Sequence, residues 1–156
     1  MSVSIILKGH ELFRALPVKD VDSISGFSSL KKYQKGETVH KCDVPATHLF
    51  MLVNGLIYLR LPAQPAEFSM IVSKVEPGYL FGLASLMESQ RYTVTAECVQ
   101  GCEVLAIEAK PLQVMLQENL HVGYLIMSAV AKAYSERYME MLKRLQSIMN
   151  QIPVVV

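Results

Sequence analysis

The stretch Leu49-Phe50-Met51-Leu52-Val53-Asn54-Gly55-Leu56-Ile57-Tyr58-Leu59 decides how the rest of the chain is read. Two arms rich in apolar and aromatic residues flank Asn-Gly, a dipeptide that tolerates the positive φ of a two-residue turn. The pattern predicts a β-hairpin, and period-two patterning continues outward from it. Upstream, residues 30–33 read as a short strand, Lys35-Gly36-Glu37 as a turn and Thr38-Val39-His40 as extended chain. Downstream, Leu61-Pro62-Ala63-Gln64-Pro65 reads as a loop, because proline cannot donate to a ladder. Residues 68–75 follow as a strand and Pro77-Gly78 as a turn. After an irregular stretch over 79–90, residues 91–98 alternate, and 102–108 pair back across Gln100-Gly101. About eight short strands in this arrangement predict an antiparallel β-roll or jelly roll.

Helical spacing brackets these strands. Leu12, Phe13 and Leu16 share a face before Pro17, and Val18, Val21 and Ile24 repeat up to Gly26. Pro111 suits a first helical turn, and Leu112, Met115 and Leu116 give a short amphipathic helix ending near Asn119. A last helix is expected over residues 122–149, on the order of 40 Å long. Along it Met127, Val130, Tyr134, Tyr138, Met141, Leu145 and Ile148 recur in heptad-like steps. That seam predicts a homodimer through the C-terminal helix. The expected class is mainly β with helical caps (α+β), in one domain over residues 1–156. N-terminal helices occupy 1–26, the β-roll 27–108 and C-terminal helices 109–150.

Composition excludes several function classes. With 156 residues, 51% hydrophobic and 19% charged, the chain is neither disordered nor in need of a disulfide or metal to fold. Fifteen Lys and Arg against 14 Asp and Glu leave a net charge of +1. That gives no basic footprint for nucleic acid and no polybasic membrane signal. No apolar run approaches the about 20 residues of a membrane span. The N-terminal run before Lys8 is too short for a signal peptide. Cys42, Cys98 and Cys102, an odd number, suit a reducing cytoplasm. The mean hydropathy of +0.28 implies apolar surface that a partner or a ligand covers.

Taken in order and spacing, six pieces resemble the cyclic nucleotide-binding domain of the catabolite-activator (Crp/Fnr-type) family. They are Leu12-Phe13, Tyr33-Gln34-Lys35-Gly36-Glu37, residues 48–59 around Asn54-Gly55, Pro77-Gly78 with Phe81-Gly82, Arg91-Tyr92-Thr93-Val94-Thr95-Ala96, and the long helix. The resemblance spans roughly residues 9–150. It implies a β-roll capped by helices, with a phosphate-binding cassette over 78–93. On this resemblance Gly82, Leu83, Ala84, Ser85, Gln90, Arg91, Tyr92 and Thr93 are the ligand-binding candidates. A glycine permits close approach to an anion, a short helix aims free N–H groups at it, and an arginine adds a charge-assisted contact. The implied ligand is cyclic AMP or cyclic GMP.

Two departures argue against those ligands. Members that bind cyclic nucleotide usually carry Glu directly after Phe-Gly, to hold the ribose; here Leu83 stands there. Losing a charged hydrogen bond costs about 1.5–3 kcal/mol, roughly 10- to 150-fold in affinity. The interval from Gly82 to Arg91 is also one residue short, so that either Arg91 or Gln90 fills the arginine slot. A third departure is that the chain stops after the long helix, where family transcription factors carry a helix-turn-helix. Direct nucleic-acid binding is therefore not expected.

Simpler roles exist for the same residues. Arg91 binds an anion or pairs with an acid such as Glu88. Ser85 and Ser89 serve a ligand or act as caps and turns. Tyr134 and Tyr138 close over a ligand or form the dimer seam. The methionines of the C-terminal helices read as adaptable packing. His10, His40, His48 and His121 lack metal-ligand spacing, so no metal is expected, and an enzyme of the cupin type, which needs clustered His, is disfavoured. Cys98 and Cys102 read as small buried hydrophobes rather than redox or haem groups. The functional expectation is a non-enzymatic, cytoplasmic, dimeric sensor for a small anionic or nucleotide-like ligand. The alternative is a ligand-free module that binds a protein partner.

Overall fold

The computed structural model describes residues 2–63, 65, 69–88 and 90–153. Three short helices open the chain: α1 (Val3–Gly9), α2 (Glu11–Arg14) and α3 (Val18–Gly26). Ser2 caps α1, its Oγ accepting from the Ile5 N–H at 3.4 Å. His10 interrupts the run with extended backbone. Its Nδ1 accepts from Leu12 N–H at 3.2 Å and so caps α2, while Nε2 lies 2.7 Å from the Gly78 carbonyl oxygen. One tautomer, with the proton on Nε2, satisfies both contacts. Sequence periodicity did not anticipate α1, which buries Ile6 and Leu7.

The sheet has six antiparallel strands: β1 (Ser28–Tyr33), β2 (Thr38–His40), β3 (His48–Leu61), β4 (Met70–Val75), β5 (Leu80–Phe81) and β6 (Thr95–Glu108). The α+β jelly-roll class is as expected, but the strand count differs for a physical reason. Neither Asn54-Gly55 nor Gln100-Gly101 turns the chain back. Each lies inside one long strand, and β3 pairs with β6 along its length, from His48 opposite Glu108 to Arg60 opposite Thr95. The register shifts between Leu52 and Ile57, so both strands bend together at a bulged corner. A Cβ on Gly55, at φ +98°, would lie 2.5 Å and 2.6 Å from the carbonyl oxygens of Gln100 and Gly101. The glycine is therefore needed for close strand approach, not for a hairpin tip. The alternating stretch after Gln90 begins as a strand only at Thr95; Arg91 makes an isolated bridge with Pro45. The strand expected over 68–75 starts at Met70, and Phe68 lies outside the described residues.

Alternation along β3 and β6 feeds two cores. Leu49, Met51, Leu105 and Ile107 face the helices, joining Leu7, Phe13, Ile24, Leu112 and Ile126. Phe50, Leu52, Val104 and Ala106 face into the roll, joining Ile57, Phe81, Cys98 and Cys102. Buried on both faces, these strands read as apolar runs rather than as half-polar ones. Cys98 and Cys102 are free thiols, buried at the corner, and burial pushes the Cys98 thiol up to about 12.

Helices α4 (Ala109–Glu118) and α5 (Leu120–Asn150) complete the chain. Asn119 caps α5, its Oδ1 accepting from Val122 N–H at 3.2 Å. Val122, Gly123, Ile126 and Val130 are the buried residues of α5, and all precede its midpoint. Beyond them α5 runs along the edge of the roll, tied by three polar contacts. Arg137 donates to the Leu80 carbonyl, Glu140 accepts from Ser73 Oγ at 2.9 Å, and Arg144 donates to the Ile71 carbonyl. No helix among the described residues is long and apolar enough to cross a membrane.

Candidate ligand-binding site

After β5 the chain reaches Gly82 in the left-handed region (φ +67°) and enters a single 3-10 turn, Leu83–Leu86. A Cβ on Gly82 would lie 2.7 Å from Phe50 Cδ2 and 3.3 Å from Tyr92 Cε1. Aromatic packing thus already requires this glycine, whether or not an anion approaches it. Tyr92 fastens the far end of the cassette to β3. Its hydroxyl donates to the His48 carbonyl at 2.8 Å and accepts from the His48 N–H at 3.1 Å. Removing that hydroxyl leaves two partly buried backbone groups without it, together worth about 1–3 kcal/mol because water reaches them in part. Tyr92→Phe is expected to lower unfolding stability by about 1–3 kcal/mol in a urea titration. A change below about 0.5 kcal/mol would mean water replaces the hydroxyl.

A cavity of about 250 Å³ lies between this cassette and α5. Gly82, Leu83, Ala84, Tyr92 and Thr93 line it from the cassette, and Tyr134, Arg137, Tyr138 and Met141 from α5. His40, Leu59, Val72, Ser73 and Val94 complete the wall. His40 stacks on Tyr92 with ring centroids 3.9 Å apart, and Phe50 and Phe81 stack behind it. It is 7% exposed, and neither ring nitrogen has a hydrogen-bond partner. Burial, with a smaller contribution from the Arg137 charge, lowers its pKa to about 4, against a partial opposing effect of the Val94 carbonyl. The ring is neutral at pH 7. Burial likewise raises the Tyr134 phenol, which stays protonated, and lowers Arg137.

Three of the sequence candidates sit elsewhere. Arg91 is exposed and turns to Asp43, donating to its carbonyl oxygen and lying 3.7 Å from its carboxylate. The expected pairing with Glu88 is replaced by this one. Gln90 is also exposed, at φ +46°, and its carbonyl accepts from Ala46 N–H at 2.6 Å. The chain over 43–46 bonds to 90–92, which holds both side chains at the surface, so neither Arg91 nor Gln90 lines the cavity. Ser85 is fully buried with an unpartnered Oγ, and its carbonyl accepts from Gln113 Nε2. Ser89 lies outside the described residues. On α5, Val130 is 1% exposed and belongs to the protomer core, which removes it from the outward seam. Met127, Tyr134, Tyr138, Met141 and Leu145 are exposed.

His40, Ser73 and Arg137 had no motif to announce them. Arg137 alone had a signal, lying one helical turn from Tyr134 and Met141 on the flank of the seam.

A family model for the cyclic nucleotide-binding domain matches residues 30–119. The chain belongs to that family. Solved structures extend the likeness across the fold. A candidate cyclic nucleotide-binding protein from Geobacter metallireducens is 25% identical, with a TM-score of 0.76 over 88% of this chain and 99% of that one. The c-di-GMP responsive global regulator CLP of Xanthomonas campestris is 17% identical, with a TM-score of 0.75 over 87% of this chain and 66% of that one. A cyclic nucleotide-binding domain from Methylobacillus flagellatus is 12% identical, with a TM-score of 0.75 over 99% of this chain and 85% of that one. Sequence comparison finds no match among curated proteins. Membership in the cyclic nucleotide-binding domain family supports a sensor or regulatory role.

Proposed function

We propose that this cyclic nucleotide-binding-like domain is a cytoplasmic, non-enzymatic sensor. A small anionic or nucleotide-like ligand, held between the cassette and α5, changes how α5 packs. The observation that carries this reading is the shared cavity, walled by Gly82–Ala84 on one side and by Tyr134, Arg137, Tyr138 and Met141 on the other. Occupancy that favours one position of α5 shifts the population toward it. The exposed Tyr138, Met141 and Leu145 would meet a second copy, so that the signal is read as a change at a dimer interface. A protein partner downstream completes this scheme.

The test is hydrogen exchange along α5 during titration with cyclic AMP, cyclic GMP, cyclic di-GMP and small organic anions. Light scattering at tens of micromolar accompanies it. The expected result is altered protection beyond Val130 with at least one ligand, and a dimeric mass. Unchanged exchange with every ligand at millimolar concentration would favour the second reading, a ligand-free interaction module. Two features support that alternative: Leu83, 3% exposed, stands where the family resemblance implies a glutamate, and Arg91 is held by Asp43.

A further inference from the structure

We propose that the cavity beneath α5 takes a compact monoanion with a flat apolar body, of the aromatic carboxylate class, its charge met by Arg137 and its body by the His40–Tyr92 stack. The proposal rests on the ligand-binding reading above and narrows it to one chemistry. At about 250 Å³ the space exceeds the about 150 Å³ apolar cavity that holds one benzene. There is room for a fused bicyclic ring with one polar substituent. Leu59, Val72, Leu83, Ala84, Val94 and Met141 make most of the wall apolar. A ligand carrying several hydroxyls would leave them unpaired there, at a cost for each.

Two polar groups stand out against that wall. His40 is 93% buried, and neither ring nitrogen makes a well-formed hydrogen bond, the Val94 carbonyl acting on the ring without meeting hydrogen-bond geometry. A neutral imidazole offers one donor and one acceptor, so a polar atom of a ligand would satisfy it. Among the described residues, Arg137 presents the only guanidinium on the wall. It donates to the Leu80 carbonyl, which occupies part of a group with five N–H donors. Among the described residues the ion pairs are those of Lys8, Lys32, Arg60 and Arg91, and Arg137 is in none of them. The neighbouring Glu140 is held by Ser73 Oγ. A guanidinium at the edge of an apolar space matches a planar carboxylate, which it can grip with two parallel hydrogen bonds.

The test is calorimetric titration of the full chain with 2-naphthoate, its neutral counterpart 2-naphthamide, and cyclic AMP. The expected result is naphthoate binding, with the amide at least about tenfold weaker, as loss of a charge-assisted bond implies. Arg137→Gln should weaken naphthoate by a similar factor, and His40→Phe by a few-fold. Should Arg137→Gln not fold, the comparison of acid and amide on the unmodified chain decides. Equal affinities for acid and amide would overturn the proposal, as would a loss in Arg91→Ala matching that in Arg137→Gln. Absence of naphthoate binding at millimolar concentration overturns it too. If cyclic AMP then alters α5 exchange, the sensor reading stands and this ligand class falls; if nothing binds here or in the wider ligand panel above, both fall.

Discussion

Gly55→Ala is expected to lower unfolding stability by about 2–5 kcal/mol, a large share of the about 5–15 kcal/mol that holds a typical domain folded. Left-handed strain on an L-residue costs about 1–2 kcal/mol. Forcing a methyl group into occupied space adds about 1–3 kcal/mol. Both apply here, because the space belongs to main-chain atoms: the carbonyl oxygens of Gln100 and Gly101, and the Cys102 Cα at 2.9 Å. Backbone of a paired strand cannot swing aside as a side-chain end can. Gly78 is the internal control. It has a similar φ of +89° with nothing within 4 Å, so alanine there bears the strain alone, about 1–2 kcal/mol. Chemical denaturation of the two variants side by side separates a strand corner from an exposed hairpin tip. Equal losses would refute the corner.

Acidification is expected to remove about 3 kcal/mol through His40. Its folded pKa, about 4, lies below the ordinary value of 6.5 because burial disfavours the charged ring. Between those two values the unfolded chain binds the proton and the folded chain does not. Stability from this group is therefore complete above pH 6.5, falls as the pH drops through that window, and levels off below pH 4. Each pKa unit is worth about 1.4 kcal/mol. His48, lowered chiefly by burial and then by Lys31, acts in the same direction. His40→Phe keeps an aromatic ring against Tyr92 and removes the titration. Its unfolding free energy should decline less between pH 7 and pH 4 than that of the parent chain. A parallel decline in both proteins would show that His40 finds a proton acceptor or water when charged.

The sequence was most legible where one period held over a whole element. The seven-residue recurrence placed α5 within two residues of its observed start at Leu120 and one of its end at Asn150. It misassigned Val130, because the same apolar residue type serves a partner or the protomer's own core. Asn54-Gly55 was misleading for a related reason. Positive φ is what a tight turn demands, yet a bulged corner between two long strands demands it as well, and only the pairing partner tells them apart. The 3-10 turn after Gly82 falls within the stretch that family-like spacing marked, whereas the direction of Arg91 could not be read from spacing. That direction is set by hydrogen bonds to residues 43–46, nearly fifty positions away along the chain. The shared site of His40 and Arg137 was hidden for the same cause: Arg137 is placed on the seam's flank by helical spacing alone, and it joins His40 only after β2 and α5 close on the roll.

The placement of Val130 has a mechanical consequence. It is the last buried residue of α5 and therefore a fulcrum. From there to Asn150 the helix forms an arm about 30 Å long, with Arg137 about 10 Å along it. Rigid pivoting multiplies motion by the ratio of those lengths. A displacement of about 1 Å where Arg137 touches the cavity becomes about 3 Å at the tip, half a helical pitch or more. That is enough to put one row of side chains out of register with whatever faces it. The amplification requires the Arg137, Glu140 and Arg144 contacts with the roll to yield, after which α5 moves as a stiff rod held by apolar packing near one end.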